Sequence, residues 1–219
     1  MNTLLAFYHQ LLACYGPQGW WPLLDPPGES PSQSGSRGVY HPGNYDLPAT
    51  PGQRFEICLG AILTQNTAWR SVEKALINLQ QMKALRPEGL EAIDESLLKE
   101  AIRPSGYFNQ KAKKIRTFAR FFLALEERTP SREELLALWG IGPETADSML
   151  LYAFKVPTFV VDAYTRRVLI AAGWIGGTES YDAIKSMFEN QLPRDLALFQ
   201  EYHALLVEHA KNLRGSRQE

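Results

Sequence analysis

The apolar residues of this chain recur at helical spacing from position 53 onward with hardly a break. The first such face is formed at i, i+4, i+7 and i+8 by Phe55, Leu59, Ile62 and Leu63. A β-like run occurs at 157–161 and is short. No convincing run alternates apolar and polar residues as a half-buried strand does. The pattern therefore predicts an all-α fold.

Capping signals add helix boundaries to this periodicity. Ser131 and Glu134 form the S-x-x-E capping box that starts a helix, and Pro143 suits a first helical position. Together these signals predict helices at 4–15, from 53 to about 63, and at 68–82, 96–102, 109–127, 131–140, 143–154, 161–172, 181–191 and 195–213.

The segment after the first predicted helix, residues 16–52, is rich in proline, glycine and serine and shows no period. A loop of this length within a compact domain is either functional or disordered. Its middle, Pro26 to Gly38, has the composition of a mobile segment. Its start contains Trp20 and Trp21, and paired tryptophans are seldom left in solvent, so we expect this part to pack against the helices.

Composition defines the broad class of protein. Hydrophobic residues make up 45% of the 219 residues and charged residues 21%, as in an ordinary globular protein. The apolar runs are too short for a membrane span, and the N-terminus predicts an amphipathic helix rather than a signal peptide. We therefore expect a cytoplasmic protein without membrane contact, in which Cys14 and Cys58 are free thiols in the core.

The turn Gly140-Ile141-Gly142 joins two predicted helices and is the most informative part of the chain. Two glycines one residue apart permit a tight turn and a close backbone approach by a ligand. The helix after the turn presents free N–H groups and the positive end of its dipole, which together make a phosphate-binding site. An ordinary αα-hairpin with a glycine-rich corner is the alternative, and the turn alone leaves both open.

Asp162 follows Gly142 by twenty residues. An aspartate after three apolar residues, at the start of a predicted helix, is most simply an N-cap. Its spacing from the hairpin adds a second interpretation, a catalytic carboxylate.

The segment LWGIGPETADSMLLYAF, followed by PTFVVDAYTRRV, resembles the hairpin and catalytic aspartate of helix-hairpin-helix DNA glycosylases of the endonuclease III superfamily. Three other segments resemble the same family in the same order. They are a helix that ends in a DNA-probing glutamine (55–67), a wedge turn with a basic helix (106–112) and the last helix (202–211). The match covers residues 53–213.

This resemblance implies two helical subdomains with a cleft between them. A six-helix barrel-like domain with the hairpin would span 46–156, and a second helical domain would combine 1–45 with 157–219. Asp162 would be the catalytic residue, and Gln65 and Tyr107 would fill the gap left by a flipped nucleotide. The implied DNA-binding residues are Gly140, Ile141, Gly142, Gln65, Asn66, Tyr107, Asn109 and Lys111.

Two departures from the family pattern shape the expected activity. Glu144 stands where bifunctional members have a lysine that forms a Schiff base with the sugar, and a carboxylate cannot attack C1′ as an amine does. The chain also lacks the four cysteines that hold an iron–sulfur cluster in many members. The resemblance therefore implies a monofunctional glycosylase with no cluster and no metal in its active site, and leaves open a monovalent cation at the hairpin.

A narrower resemblance, to the 3-methyladenine DNA glycosylase III branch, lies in Gly19-Trp20-Trp21-Pro22 and in residues 103–111. It implies that the excised base is an alkylated purine such as 3-methyladenine. Indole rings can stack on such a flat cation, and core packing is their plainer alternative. The pocket lysine of that branch is matched by Leu205 here, which departs from the pattern. The expected base pocket comprises Trp20, Trp21, Phe55 and Trp69.

The expected partner is double-stranded DNA with a damaged base, bound by a monomer. A net charge of −1 argues only weakly against it, because DNA binding needs a local basic face rather than a basic whole. Basic residues cluster on one predicted helix, after Asp162 and near the C-terminus: Lys111, Lys113, Lys114, Arg116, Arg120, Arg166, Arg167, Lys211, Arg214 and Arg217. Two alternatives stay open, a glycosylase with AP lyase activity for oxidised pyrimidines and a non-catalytic DNA-binding module.

Overall fold

The structure, a computed structural model, describes residues 3–24 and 38–215 and is nearly all helical there. The described residues form eleven α-helices: α1 (Thr3–Tyr15), α2 (Pro51–Leu63), α3 (Trp69–Gln81), α4 (Pro87–Ala92), α5 (Glu95–Ile102), α6 (Phe108–Ala124), α7 (Arg132–Leu136), α8 (Pro143–Ser148), α9 (Ala163–Ala171), α10 (Tyr181–Gln191) and α11 (Leu196–Gly215). A 3₁₀ turn (Arg103–Ser105) precedes α6, and one π-helical turn (Met149–Ala153) continues α8. The all-α prediction is confirmed.

Helix α2 runs through the centre of the fold. A capping box between Thr50 and Gln53 starts it, with Pro51 in the first turn, and every residue from Phe55 to Leu63 is buried. A helix that is apolar on all sides must be covered on all sides. Helices α3, α6 and α8 and the π-helical turn pack around it. Its last turn therefore delivers the residues that follow Leu63 to a fixed place between these helices.

The two ends of the described chain lie side by side. Helix α1 packs along α11, which in turn packs on α9 and on the π-helical turn. The Tyr202 hydroxyl donates a hydrogen bond of 2.9 Å to the Leu4 carbonyl across this contact. The division into domains at 46 and 157 stays a prediction.

Three features differ from the expectations or fall outside them. The short helix α4 was not predicted, because six residues are too few to show a 3.6-residue period. Both cysteines are free, but Cys14 is exposed rather than part of the core, whereas Cys58 is buried. Most of the segment expected to be mobile (26–37), together with Arg217, lies outside the described residues.

No helix among the described residues is long and apolar enough to cross a membrane.

A buried ion pair joins α7 to α8. The Asp147 carboxylate is fully buried and accepts hydrogen bonds from Arg132 Nε (3.0 Å), from Arg132 Nη2 (3.1 Å) and from Thr158 Oγ1 (3.3 Å). The same guanidinium donates to Asp182 at 2.9 Å, but that carboxylate is 66% exposed. The Asp147 carboxylate is therefore both more buried and more fully hydrogen-bonded to Arg132 than the Asp182 carboxylate.

We expect Asp147→Ala to lower the free energy of unfolding by about 3–5 kcal/mol, because it leaves a partly buried guanidinium without its principal partner. The matched change Asp182→Ala removes an exposed partner of the same arginine and should cost about 1 kcal/mol or less. Urea denaturation of both variants measures the difference, and equal losses would contradict this assignment.

Candidate active site and DNA interface

The hairpin turn lies between α7 and α8 at the surface. Gly140 adopts a positive φ of +83°, which favours glycine, whereas Gly142 has an ordinary φ of −98°. Ile141 is buried, and its N–H donates to the Leu138 carbonyl at 3.1 Å. Helix α8 then starts with Pro143 in its first turn. Ile141 thus braces the turn from inside, while the glycine backbone faces outward.

Gln65 is held against this hairpin. Its Nε2 donates to the Gly140 carbonyl (3.1 Å) and to Thr145 Oγ1 (3.0 Å), and its Oε1 accepts a hydrogen bond from Lys114 Nζ. The next residue, Asn66, is exposed and adopts a positive φ of +52°. The glutamine expected to probe DNA is therefore part of the hairpin's support in the DNA-free protein.

Tyr107 projects from the turn before α6. It is 67% exposed and adopts a positive φ of +46°, and Asn109 nearby is exposed as well. The Thr67 hydroxyl donates to the Ser105 carbonyl at 2.5 Å and so ties this turn to the loop that carries Gln65. Tyr107 has the exposure that a wedge residue requires.

The prediction that Lys111 contacts DNA is wrong. Its side chain is buried, and Nζ donates to the Leu63 carbonyl (2.8 Å), Thr67 Oγ1 (2.8 Å) and the Ser105 carbonyl (2.7 Å). Desolvation and, to a lesser degree, the charge of Lys114 lower the pKa of Lys111 to about 8. Lys111 thus closes the C-terminal end of α2 instead of reaching a phosphate.

The sequence did contain a signal for this role. Lys111, Ile115 and Phe118 share one helix face at i, i+4 and i+7, and the other two are fully buried. A lysine on an apolar face needs internal acceptors for its three N–H groups.

The basic face of α6 is smaller than predicted. Arg116 donates to the Glu91 and Ile93 carbonyls, and Arg120 pairs with the Glu91 carboxylate at 2.8 Å. Lys113 lies 4.5 Å from the ring centre of Trp139, an exposed aromatic residue beside the hairpin that the sequence analysis did not single out. Most charges of this helix therefore hold the fold together.

A cavity of about 180 Å³ lies beside the hairpin, where α8, α9, α11 and the segment between α1 and α2 meet. It brings together most of the residues predicted for catalysis and base binding. The residues that line it include Trp20, Trp21, Trp69, Glu144, Asp162 and His203.

The tryptophans form an aromatic wall of this cavity. Trp21 is 7% exposed and meets Trp69 edge to face, with ring centres 5.5 Å apart. Trp20 is half-buried and packs edge to face against His203 at 5.7 Å. All three indoles line the cavity, and Trp21 packs against both Trp20 and Trp69, so their packing role is observed and base stacking stays a prediction.

The prediction that Phe55 belongs to the base pocket is wrong. Phe55 is fully buried and packs on Phe118 and Phe122 in the core. Thr64, at the other end of α2, lines the cavity. Nine residues of helix separate the two positions by about 13 Å, which places Phe55 out of reach.

Three buried glutamates accept hydrogen bonds from the backbone of the segment between α1 and α2, which carries the tryptophan pair. The Glu56 carboxylate accepts from Leu24 N (2.7 Å), Glu73 accepts from Gly38 N (2.5 Å), and Glu201 accepts from Gln18 N (2.5 Å). Glu201 also accepts from the Tyr45 hydroxyl at 2.9 Å, and burial raises its pKa. Sequence reasoning missed these residues, although Glu56 is flanked by apolar neighbours in FEICLGAIL.

Asp162 is the N-cap of α9 and also faces the cavity. Its Oδ1 accepts a hydrogen bond from Thr165 N (2.7 Å), and its Oδ2 lies 3.6 Å from His203 Nε2. Burial by itself would raise the pKa of Asp162. His203 and the Thr165 N–H lower it by more than burial raises it, so the pKa of Asp162 lies below its usual value. The carboxylate is therefore ionised at neutral pH.

Glu144 lines the same cavity from the first turn of α8, with part of its surface exposed. Desolvation of its carboxyl and then the negative charge of Asp162 raise its pKa. The position expected for a lyase lysine thus carries a second carboxyl group at the cavity. Within the described ranges, no three His, Cys, Asp or Glu side chains converge on a metal-sized site.

Comparison with protein families and curated proteins places this site in context. Residues 59–194 match the HhH-GPD superfamily of base excision DNA repair proteins. A candidate DNA repair glycosylase of Methanocaldococcus jannaschii is 40% identical, over 96% of this chain and 88% of its own length. Endonuclease III of Sulfolobus acidocaldarius is 30% identical, over 74% of this chain and 75% of its own length.

Solved structures give the same picture. Helicobacter pylori 3-methyladenine DNA glycosylase bound to 1,N6-ethenoadenine superposes with a TM-score of 0.63 and 30% identity, over 75% of this chain and 90% of that one. A non-covalent endonuclease III–DNA complex superposes with a TM-score of 0.71 over 94% of this chain and 85% of that one. At 19% identity the second likeness shows a common fold.

The contacts of Lys111 predict a structural role that stability measurements can separate from DNA binding. Lys111→Met removes the lysine donor from the Leu63 carbonyl and one of the two donors to the Ser105 carbonyl, and should lower the free energy of unfolding by about 3 kcal/mol. The matched change Lys113→Met alters an exposed lysine of the same helix and should cost about 0.5 kcal/mol or less. If Lys111→Met instead weakened DNA binding and left stability unchanged, Lys111 would be a phosphate contact.

The lowered pKa of Lys111 predicts a pH dependence of its own. The folded protein binds this proton more weakly than the unfolded chain, whose lysine pKa is near 10.5. Wild-type stability should therefore rise relative to Lys111→Met between pH 8 and about 10.5, and stay level below pH 8. Urea titrations at several pH values measure the difference, in which the other lysines cancel.

Proposed function

The chain belongs to the HhH-GPD superfamily of base excision DNA repair proteins and is a DNA glycosylase of that family, and we propose that it is a monofunctional enzyme for alkylated purines such as 3-methyladenine. The observation that carries this proposal is an ionised carboxylate, Asp162, facing the same cavity as three indole rings. Similarity to the H. pylori 3-methyladenine DNA glycosylase, 30% identical over 75% of this chain, supports the substrate class.

The cavity suits a flat, cationic base. Trp20, Trp21 and Trp69 offer aromatic surfaces that attract a cation by dispersion and by cation–π contacts. Such a base reaches the cavity only when its nucleotide leaves the helical stack, which costs a few kcal/mol and least at damaged sites. The exposed Tyr107 would fill the gap in the duplex.

Asp162 would then act on the sugar. When the glycosidic bond breaks, positive charge develops at C1′, and a fixed carboxylate in a low-dielectric site stabilises it. An alkylated purine leaves as a neutral base and needs no strong general acid. The proposed reaction therefore needs one ionised carboxylate and an aromatic wall, and the cavity has both.

Glu144 supports the monofunctional part of the proposal. A lyase needs an uncharged amine within reach of C1′, and this position carries a carboxyl group. We further propose a cytoplasmic monomer without an iron–sulfur cluster, acting on double-stranded DNA with a damaged base. A monovalent cation at the hairpin is part of the same proposal.

Removal of oxidised pyrimidines is the second candidate function. Its support is the similarity to curated endonuclease III proteins, of which the S. acidocaldarius enzyme is 30% identical over 74% of this chain. A DNA-binding module without catalysis has less support, because the Asp162 side chain is largely buried and faces the cavity.

We expect the wild-type protein to release 3-methyladenine or 7-methylguanine from methylated duplex DNA. Asp162→Asn should lower the single-turnover rate by at least about 100-fold, because an amide supplies no negative charge. Asparagine is also a good N-cap, so α9 should persist. Chromatography of the released free base measures the rate.

Asp195→Asn is the matched control. Asp195 is an exposed N-cap with the same bond length, 2.7 Å to Leu198 N, and it lies outside the cavity. Its variant should keep the wild-type rate. Release of oxidised pyrimidines without release of methylated purines would overturn the substrate class in favour of the second candidate.

The role of Glu144 predicts a gain of function. Glu144→Lys places an amine where the carboxyl stands, so borohydride should trap a covalent complex between this variant and abasic-site DNA. Wild type and the isosteric Glu144→Gln should give no trapped complex. Trapping by the wild type would mean that another amine performs the lyase reaction, and the monofunctional proposal would fail.

A further inference from the structure

His203 stands in the wall of the cavity and has no role in the mechanism above. It lies on α11, is 3% exposed, and packs between Trp20 and Tyr152. Its Nδ1 is 2.7 Å from the Tyr152 hydroxyl. The ring is therefore fixed both by a hydrogen bond and by the aromatic wall.

The contacts of Tyr152 indicate which ring nitrogen carries the proton. The hydroxyl has one proton and two neighbours, His203 Nδ1 at 2.7 Å and the Gln200 carbonyl at 3.1 Å. The Gln200 carbonyl can only accept, so the hydroxyl donates its proton there and accepts a hydrogen bond from Nδ1–H of His203. Nδ1 is thereby occupied, and Nε2 is the ring nitrogen left to face the cavity.

His203 Nε2 has no hydrogen-bond partner among the described residues, although it is buried. Asp162 Oδ2 is 3.6 Å away, which is beyond hydrogen-bond length. Buried polar nitrogens are rarely left unpaired, and one that lines a cavity is placed to form a hydrogen bond with a ligand there. The other charged groups at this cavity are Glu144 on α8 and Lys211 on α11.

We infer that His203 is a second catalytic residue, which together with Asp162 binds the water that attacks C1′. This inference rests on the hydrolytic glycosylase proposed above. A water oxygen about 2.8 Å from both His203 Nε2 and Asp162 Oδ2 fits the separation of these atoms. The water forms one hydrogen bond with Nε2 and donates another to the carboxylate, which leaves a lone pair of its oxygen free toward the sugar.

The reaction balances with these groups alone. The bond between C1′ and the base nitrogen breaks, and its electron pair neutralises the positive charge of the alkylated purine. The water oxygen forms the new bond to C1′, and its proton passes to the Asp162 carboxylate and then to solvent. His203 keeps the water in place.

Two substitutions test this role. His203→Leu removes the hydrogen-bonding nitrogen, whereas His203→Gln keeps a polar amide at a similar distance from the backbone. We expect His203→Leu to lower the single-turnover rate of base release by about 100-fold, and His203→Gln to restore it to within about tenfold of wild type. Affinity for DNA with a tetrahydrofuran abasic analogue should stay within about threefold for both, because neither change removes a DNA contact.

A second readout separates water binding from a structural role. When methanol is added, it competes with water for the sugar, and the ratio of methyl glycoside to hydrolysed sugar reports how well the water is held. His203→Leu should raise this ratio, and His203→Gln should keep it near the wild-type value. A residue that only supports the fold would change the rate and the melting temperature without changing the ratio.

Several outcomes would overturn the inference. A wild-type rate in His203→Leu would do so, as would a slow rate with an unchanged product ratio and no rescue by glutamine. If the wild type releases oxidised pyrimidines instead of methylated purines, only the substrate proposal fails, and the same variants test His203 on that base. A wild type that releases neither overturns the glycosylase proposal and this inference with it.

Discussion

The described part of the segment between α1 and α2 (16–24 and 38–50) forms no helix that could bind its backbone N–H groups, yet it supplies the tryptophan pair of the cavity. Buried carboxylates on three different helices accept those N–H groups instead, namely Glu56 on α2, Glu73 on α3 and Glu201 on α11. A buried backbone donor is costly when unpaired, so these contacts determine where the segment can lie. The aromatic wall therefore depends on three acidic residues that do not line the cavity.

The cavity also shifts the pKa values of its two carboxyl groups in opposite directions. Asp162 is more deeply placed, but the N–H of Thr165 and the His203 ring stabilise its charged form and lower its pKa. Desolvation of the Glu144 carboxyl and then the negative charge of Asp162 raise the pKa of Glu144. Two neighbouring acids pushed in opposite directions are a common way for one site to hold two different functions. Here the ionised member faces both the indole rings and His203.

Sequence reasoning was most accurate where a residue's role is local. The capping box at Ser131, the tight glycine turn at Gly140 and the N-cap at Asp162 each depend on a few neighbours, and the structure confirms them. The predictions for Phe55 and Lys111 were wrong, because a resemblance gives the order of motifs but does not show which face of a helix lines the cavity or the DNA-binding surface. A helix of thirteen residues presents every direction, and only its packing partners choose among them.

The sequence by itself determined the helical class, the glycine turn and the chemical types at the site, because periodicity and backbone conformation are encoded within a few residues. The tertiary structure alone decided that Lys111 points inward, that Gln65 braces the hairpin and that His203 meets Asp162. His203 and Asp162 lie far apart in the chain and on different helices. Their meeting follows from the packing of α11 on α9, which is a sum of many weak contacts that no short stretch of sequence contains.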